Sequence, residues 1–99
     1  MNPIFLEHIE GEKPVLVQFH AEWCAPCKAL APTIDYVGDV MADRATILKV
    51  DIDRNKDIAE AFGIQSVPSL LLFKKGEVLW HNVGSIDKIG LLKVLESSI

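Results

Sequence analysis

The order of local patterns along this chain predicts an α/β fold, with a mixed central β-sheet flanked by helices on both faces. A near-continuous apolar run at residues 15–20 is typical of a strand covered on both faces. A stripe of apolar residues at helical spacing follows it. Further on, two strand-like segments flank a Lys-Lys-Gly-Glu turn and precede a last helical segment. With 99 residues in all, we expect residues 1–99 to form a single domain.

The first element is a short helix. Apolar residues recur at mixed helical spacing and Gly11 ends the pattern, so residues 3–12 are predicted to form an amphipathic helix. Pro14 then leads into the first strand, residues 15–20.

The stretch Trp23-Cys24-Ala25-Pro26-Cys27-Lys28 forms the turn from this strand into a helix of about residues 24–42. Cys24 lies at the start of that helix, where free backbone N–H groups and the helix dipole favour a thiolate. Cys27 follows one turn later on nearly the same face, close enough to attack a mixed disulfide formed on Cys24. We therefore predict that Cys24 is the attacking thiol and Cys27 a more buried resolving thiol.

The rest of the chain continues the alternation. Pro32 inside the long helix predicts a kink near residues 28–32, and either Asp87 or Ser85 can cap the last helix. The remaining predicted elements are a strand at 46–52, a helix at 57–62 closed by Gly63, strands at 69–73 and 78–83 joined by a hairpin turn, and a helix at 89–95.

Composition excludes several classes of function. A net charge of −4 with scattered Lys and Arg argues against nucleic-acid binding. The N-terminal residues carry neither a signal-peptide pattern nor an apolar run of the ~18 residues that a membrane span needs, so we expect a cytosolic protein with no membrane partner. A zinc site would need a second ligand pair, and the three histidines stand singly. We therefore expect no metal and no bound cofactor. We expect Cys24 and Cys27 to form a redox-active disulfide.

The motif resembles the active-site signature of the thioredoxin family, in which a glycine usually occupies the position of Ala25. The resemblance extends from about Val15 to the end of the chain and implies the thioredoxin fold. Thioredoxins usually have a strand before their first helix, and here that strand is expected to be absent or very short. The other matching positions are Pro32, Ser66-Val67-Pro68-Ser69-Leu70, Lys75-Gly76-Glu77 and Gly84.

The resemblance also implies a substrate groove. Pro68 is expected to follow a cis peptide bond and to face the cysteines, with Val67 offering its backbone to an extended substrate strand. Exposed apolar residues at a loop tip suit a contact surface. The expected substrate-binding residues are Trp23, Ala25, Pro26, Val67, Pro68 and Gly84.

The chain departs from the family pattern beside the cysteines. Gln18 stands where thioredoxins carry a buried aspartate, and an amide cannot act as a general base. Lys49 matches the lysine that neighbours that acid and is expected to lack its partner. His20, on the same strand face, is a candidate substitute base, and Lys28 a candidate for holding the thiolate charge.

These residues predict a protein-disulfide reductase of the thioredoxin type, an electron carrier re-reduced by an NADPH-dependent thioredoxin reductase and expected to be a monomer. One alternative is a disulfide oxidant or isomerase, because Ala25 lies in the dipeptide that influences redox potential. Another is a thioredoxin-like binding subunit whose thiols are not essential.

Overall fold

A computed structural model describes residues 2–99 and shows the predicted order of elements. The helices are α1 (Pro3–Ile9), α2 (Ala25–Met41), α3 (Lys56–Ala61) and α4 (Lys88–Ser97). The strands are β1 (Val15–His20), β2 (Thr46–Asp51), β3 (Ser69–Lys74) and β4 (Glu77–Val83). Within these residues no strand precedes α1, in agreement with the expected loss of the first strand.

The four strands form one mixed sheet in the order β2-β1-β3-β4. β1 pairs in parallel with β2 and antiparallel with β3, and β3 pairs antiparallel with β4 through the hairpin. The two central strands are buried along almost their whole length, whereas β4 is mostly exposed. This confirms the mixed sheet and places β2 and β4 at its edges.

Helices cover both faces of the sheet, with a hydrophobic core on each. On one face, Leu30, Ile34, Val37 and Met41 of α2 pack with Leu91 and Leu95 of α4 against Leu16, Leu70 and Leu72. On the other face, Phe5 and Ile9 of α1 and Ile58 of α3 pack against Val15, Val17, Phe19, Leu71 and Phe73. Burial of these side chains at about 1.5–3 kcal/mol each stabilises the sheet between its helical layers.

Local differences from the sequence-based expectations occur at element ends. α1 ends at Ile9, before the predicted residue 12, and a short 3-10 helix at Ala42–Arg44 was not predicted. Ala42 adopts a φ of 50°, which ends α2 where no glycine marks the position. Pro32 lies inside α2, which continues on both sides of it. Asp87 caps α4 by accepting a hydrogen bond from the Gly90 N–H at 2.7 Å.

Within residues 2–99, no helix combines the length and the apolar character that crossing a membrane requires.

Candidate functional site

The site is built around the N-terminus of α2. Cys24 is the N-cap residue in an extended conformation, and Ala25 and Pro26 open the first turn. The backbone N–H of Cys27 donates a hydrogen bond to Cys24 Sγ at 3.1 Å. The first turn contains no acidic residue. A negative charge on this sulfur would therefore be favoured by an aimed N–H donor and by the helix dipole.

Cys24 and Cys27 form a disulfide, with their Cα atoms 5.3 Å apart. The prediction that Cys27 is the more buried thiol concerns the dithiol form and stays a prediction. In this oxidised form the two cysteines are buried almost equally, Cys24 being 3% and Cys27 4% exposed. The physical reason is that the bond holds both residues in one small apolar cluster with Ala21, against which Ile52 and Val67 pack.

Pro68 follows Val67 in the segment before β3. The Val67–Pro68 peptide bond is cis, and Pro68 is buried. Val67 packs against the cysteine cluster, so the segment before β3 meets the start of α2. The Gly84 N–H donates to the Pro68 carbonyl at 2.9 Å, which brings the end of β4 to the same place. Residues far apart in sequence thus converge around the disulfide.

Trp23 extends from the rim of the site. It is 68% exposed, and its Nε1–H donates to Asp53 Oδ2 at 2.8 Å. Arg54 lies 3.3 Å from Glu22, a second link between the same two loops. Sequence reasoning missed Asp53 and Arg54, although the parallel pairing of β1 and β2 puts the loops that follow them at one edge of the sheet. Ala25 and Pro26 complete the exposed rim.

A shallow depression of about 250 Å³ is lined in part by Cys27. It brings together all four residues that the sequence analysis singled out beside the cysteines: Gln18, His20, Lys28 and Lys49. Gln18 is 2% exposed and lines this depression. The depression is large enough for water to reach these groups.

Lys49 has no acid at position 18, as expected, but it pairs with a different acidic side chain. Its Nζ lies 3.4 Å from Asp35 Oδ1 on α2, and Gln18 is its neighbour in the sheet. Sequence analysis missed Asp35 because only packing of α2 on the sheet brings it to β2. Both partners are substantially exposed, so the pair contributes at most about 1 kcal/mol.

In the part of the chain that the structure describes, no three His, Cys, Asp or Glu side chains cluster as potential metal ligands. The redox chemistry of the site rests on the two sulfur atoms.

Comparison with protein families gives a match over residues 2–97 to the family described as Thioredoxin. Curated relatives include a thioredoxin of Rickettsia felis, 42% identical over 94% of this chain and 89% of the relative. Another is a thioredoxin of Acidithiobacillus ferridurans, 41% identical over 92% of this chain and 84% of the relative.

Solved structures agree with these matches. A mutant thioredoxin from Halobacterium salinarum superposes with a TM-score of 0.89 at 32% identity, over 99% of this chain and 85% of that one. Thioredoxin from Malassezia sympodialis gives a TM-score of 0.86 at 32% identity, over 96% of this chain and 84% of that one.

Proposed function

Because this chain belongs to the thioredoxin family and is a thiol–disulfide oxidoreductase that reduces protein disulfides, we propose that Cys24 is its attacking thiol and Cys27 its resolving thiol. One observation carries this assignment. The Cys24 sulfur caps α2 and accepts the Cys27 N–H, while the Cys27 sulfur has no corresponding place at the helix terminus.

In the first step, the Cys24 thiolate attacks one sulfur of a target disulfide. A mixed disulfide forms between Cys24 and the target, and the target's other sulfur leaves as a thiolate that takes up a proton. The helix N-terminus favours the attacking thiolate, so this step proceeds at a pH where an ordinary cysteine is mostly protonated.

In the second step, Cys27 loses its proton and attacks the Cys24 sulfur. The Cys24–Cys27 disulfide forms and the second target thiol is released, so two electrons have passed to the target. The 5.3 Å between the two Cα atoms lies within the range that a disulfide spans without backbone movement.

The substrate groove in this proposal consists of the residues that converge on the cysteines. Val67 and Pro68 form one wall, Gly84 lies against Pro68, and the exposed Trp23, Ala25 and Pro26 form the other rim. Val67 provides backbone groups to an extended substrate strand, and the apolar rim surrounds the target disulfide.

Gln18, His20, Lys28 and Lys49 tune the second step. The Cys27 proton has a route to solvent through the depression that these four residues line. His20 offers an imidazole nitrogen as a proton acceptor, and Gln18 serves as a hydrogen-bonding relay.

The wider role that we propose is the one that family membership supports. The protein is a single-domain, monomeric electron carrier of the cytosol, with the Cys24–Cys27 pair as its only redox group. An NADPH-dependent thioredoxin reductase returns it to the dithiol form. Its partners are proteins with accessible disulfides, and neither nucleic acid nor membrane takes part.

Trapping of the mixed disulfide tests the roles of the cysteines. Reduced Cys27→Ser should accumulate a covalent adduct with a disulfide-containing peptide, seen by mass spectrometry, because nothing resolves the bond. Reduced Cys24→Ser should form far less adduct at the same pH. Equal trapping by both variants would overturn the assignment.

The reduction potential separates the reductase from the oxidant or isomerase. We expect equilibration with glutathione to place the Cys24–Cys27 couple well below the glutathione pool. A difference of about 30 mV corresponds to roughly 1.4 kcal/mol in this two-electron couple. A potential well above the pool would replace the reductase with an oxidant or isomerase.

A further inference from the structure

The two faces of β4 are covered unequally. Residues opposite each other in an antiparallel pair share a face, so Val83, His81 and Val78 lie on the same face as Ser69, Leu71 and Phe73 of β3. On the opposite face, Trp80 packs against the core under α2 and α4. The core under α1 and α3 includes Leu71 and Phe73 but no residue of β4. One face of this edge strand is therefore left outside the core.

A groove of about 470 Å³ occupies the uncovered position. One wall is β4, and the other is the segment from Phe62 to Ser66, which follows α3. None of the lining residues is Asp, Glu, Lys or Arg, in a chain that is 24% charged. Two of them, Val78 and Val83, are among the most exposed large apolar side chains of the described residues. Uncharged apolar surface of this kind marks interaction sites.

The groove is continuous with the redox site. Ser66 and Ser69 line it and flank Val67 and Pro68 in the chain, and the Ser69 hydroxyl donates to the Ser66 carbonyl at 2.7 Å. Val83 lines it immediately before Gly84, whose N–H is bonded to Pro68. From Val83 to Val78 the groove follows β4 for about 16 Å, at roughly 3.3 Å per residue.

We propose that this groove, lined by β4 and residues 62–66, binds an extended, apolar and uncharged stretch of the substrate protein that continues from its target disulfide. The inference rests on the proposed function, since the substrate disulfide at Cys24 sets where the stretch begins. It adds a second contact region, remote from the sulfur atoms, that favours disulfides in exposed apolar segments over small or highly charged disulfides.

The chain offers a closely matched pair of variants. Val78 and Leu79 are neighbours on β4 and are 48% and 49% exposed, but only Val78 lines the groove. Val78→Lys places a charge in the groove, and Leu79→Lys places the same charge beside it. Val78→Ser removes the apolar side chain without adding a charge. Thermal unfolding of each variant shows whether the fold is intact.

The experiment measures single-turnover reduction by the pre-reduced protein, which needs no reductase. One probe is a peptide disulfide with five apolar residues next to its cysteine, made once with this stretch before the cysteine and once with it after. Matched control peptides carry Glu and Ser in place of the apolar stretch. The second probe is 5,5′-dithiobis(2-nitrobenzoic acid), a small disulfide. We expect Val78→Lys to lower the second-order rate constant for an apolar peptide about five- to tenfold. Leu79→Lys should leave it unchanged, and neither variant should alter the rate for the small disulfide.

Several outcomes would overturn the groove without touching the cysteine chemistry. These are equal effects of Val78→Lys and Leu79→Lys, or equal losses for the apolar and charged peptides. If the reduced wild-type protein failed to reduce the small disulfide, that result would instead contradict the proposed function.

A direct measurement complements the kinetics. The apolar peptide is trapped on Cys24 of Cys27→Ser, and amide chemical shifts are compared with those of the same variant carrying the charged peptide. Differences at Val78 and His81 support the groove, whereas differences confined to the surroundings of Pro68 and Gly84 would overturn it.

Discussion

The two ends of the sheet are constructed differently. At the hairpin end, backbone hydrogen bonds close the structure: Lys75 N–H donates to the Gly11 carbonyl and Gly76 N–H to the Ile9 carbonyl, each at 2.9 Å. Phe73, just before the turn, packs edge-on against two further aromatic rings, Phe5 and Phe62.

At the cysteine end, exposed side chains make the links between loops. Trp23 is bonded to Asp53, and Glu22 is paired with Arg54. Such exposed bonds contribute little to folding. The hairpin end therefore supplies stability, while the cysteine end keeps a helix terminus and an apolar rim available for chemistry.

The largest expected effect on stability is at the hairpin end. Phe73→Ala should lower the free energy of unfolding by about 3–5 kcal/mol, because it removes a fully buried ring from an aromatic cluster. Trp23→Ala removes a larger ring at the cysteine end but should cost about 1 kcal/mol or less while slowing disulfide exchange. Guanidinium unfolding measures both variants. Similar losses would show that the two ends do not divide these tasks.

A buried charge introduced at the cysteine end should have the next largest effect on the free energy of unfolding. Gln18→Asp should lower the free energy of unfolding at pH 7 by about 1–3 kcal/mol relative to Gln18→Asn, because burial disfavours the carboxylate. Burial raises the pKa of an Asp introduced here, so the deficit should be small below the unfolded-state pKa. It should grow as pH rises from there to the raised folded-state pKa and stay constant above it.

The same pair of variants reports on proton transfer from Cys27. Resolution of a trapped mixed disulfide should be faster with Asp than with Asn, since a carboxylate accepts a proton that an amide cannot. Equal resolution rates would mean that the depression already supplies an adequate acceptor.

One glycine with positive φ at each end gives a smaller, matched test. Gly76 has φ 80° and Gly84 has φ 90°, and an added Cβ would make no close contact at either position. Backbone strain alone should therefore make Gly76→Ala and Gly84→Ala each cost about 1–2 kcal/mol. Only Gly84→Ala should also slow peptide-disulfide reduction, because Gly84 is bonded to Pro68. Slower reduction by Gly76→Ala would contradict the division between the ends.

The smallest effect is expected at Asp53. Asp53→Asn should change the free energy of unfolding by less than about 1 kcal/mol, because the bond to the Trp23 indole is exposed. It should still lower the rate of peptide-disulfide reduction slightly by loosening Trp23. In a Trp80→Phe background, which removes the other indole, fluorescence anisotropy measures the mobility of the Trp23 side chain. Unchanged anisotropy would show that Asp53 does not position this side chain.

Much of the fold could be predicted because its signals are local. The order of all eight helices and strands follows from apolar periodicity and turn residues, and Asp87 does cap α4. The position of Cys24 at the helix start was likewise readable. The 3-10 helix at Ala42–Arg44 was not, since Ala42 takes a positive φ that its residue type disfavours.

The two-cysteine motif at a strand-to-helix turn and the family of this chain can be read from the amino-acid sequence. Four features can be seen only in the folded protein: the nearly equal burial of the two cysteines, the Asp35 neighbour of Lys49, the Asp53 partner of Trp23 and the groove beside β4. The physical reason is the range of the interactions. Capping and periodicity act within a few residues, whereas these features depend on side chains that only the packed sheet brings together.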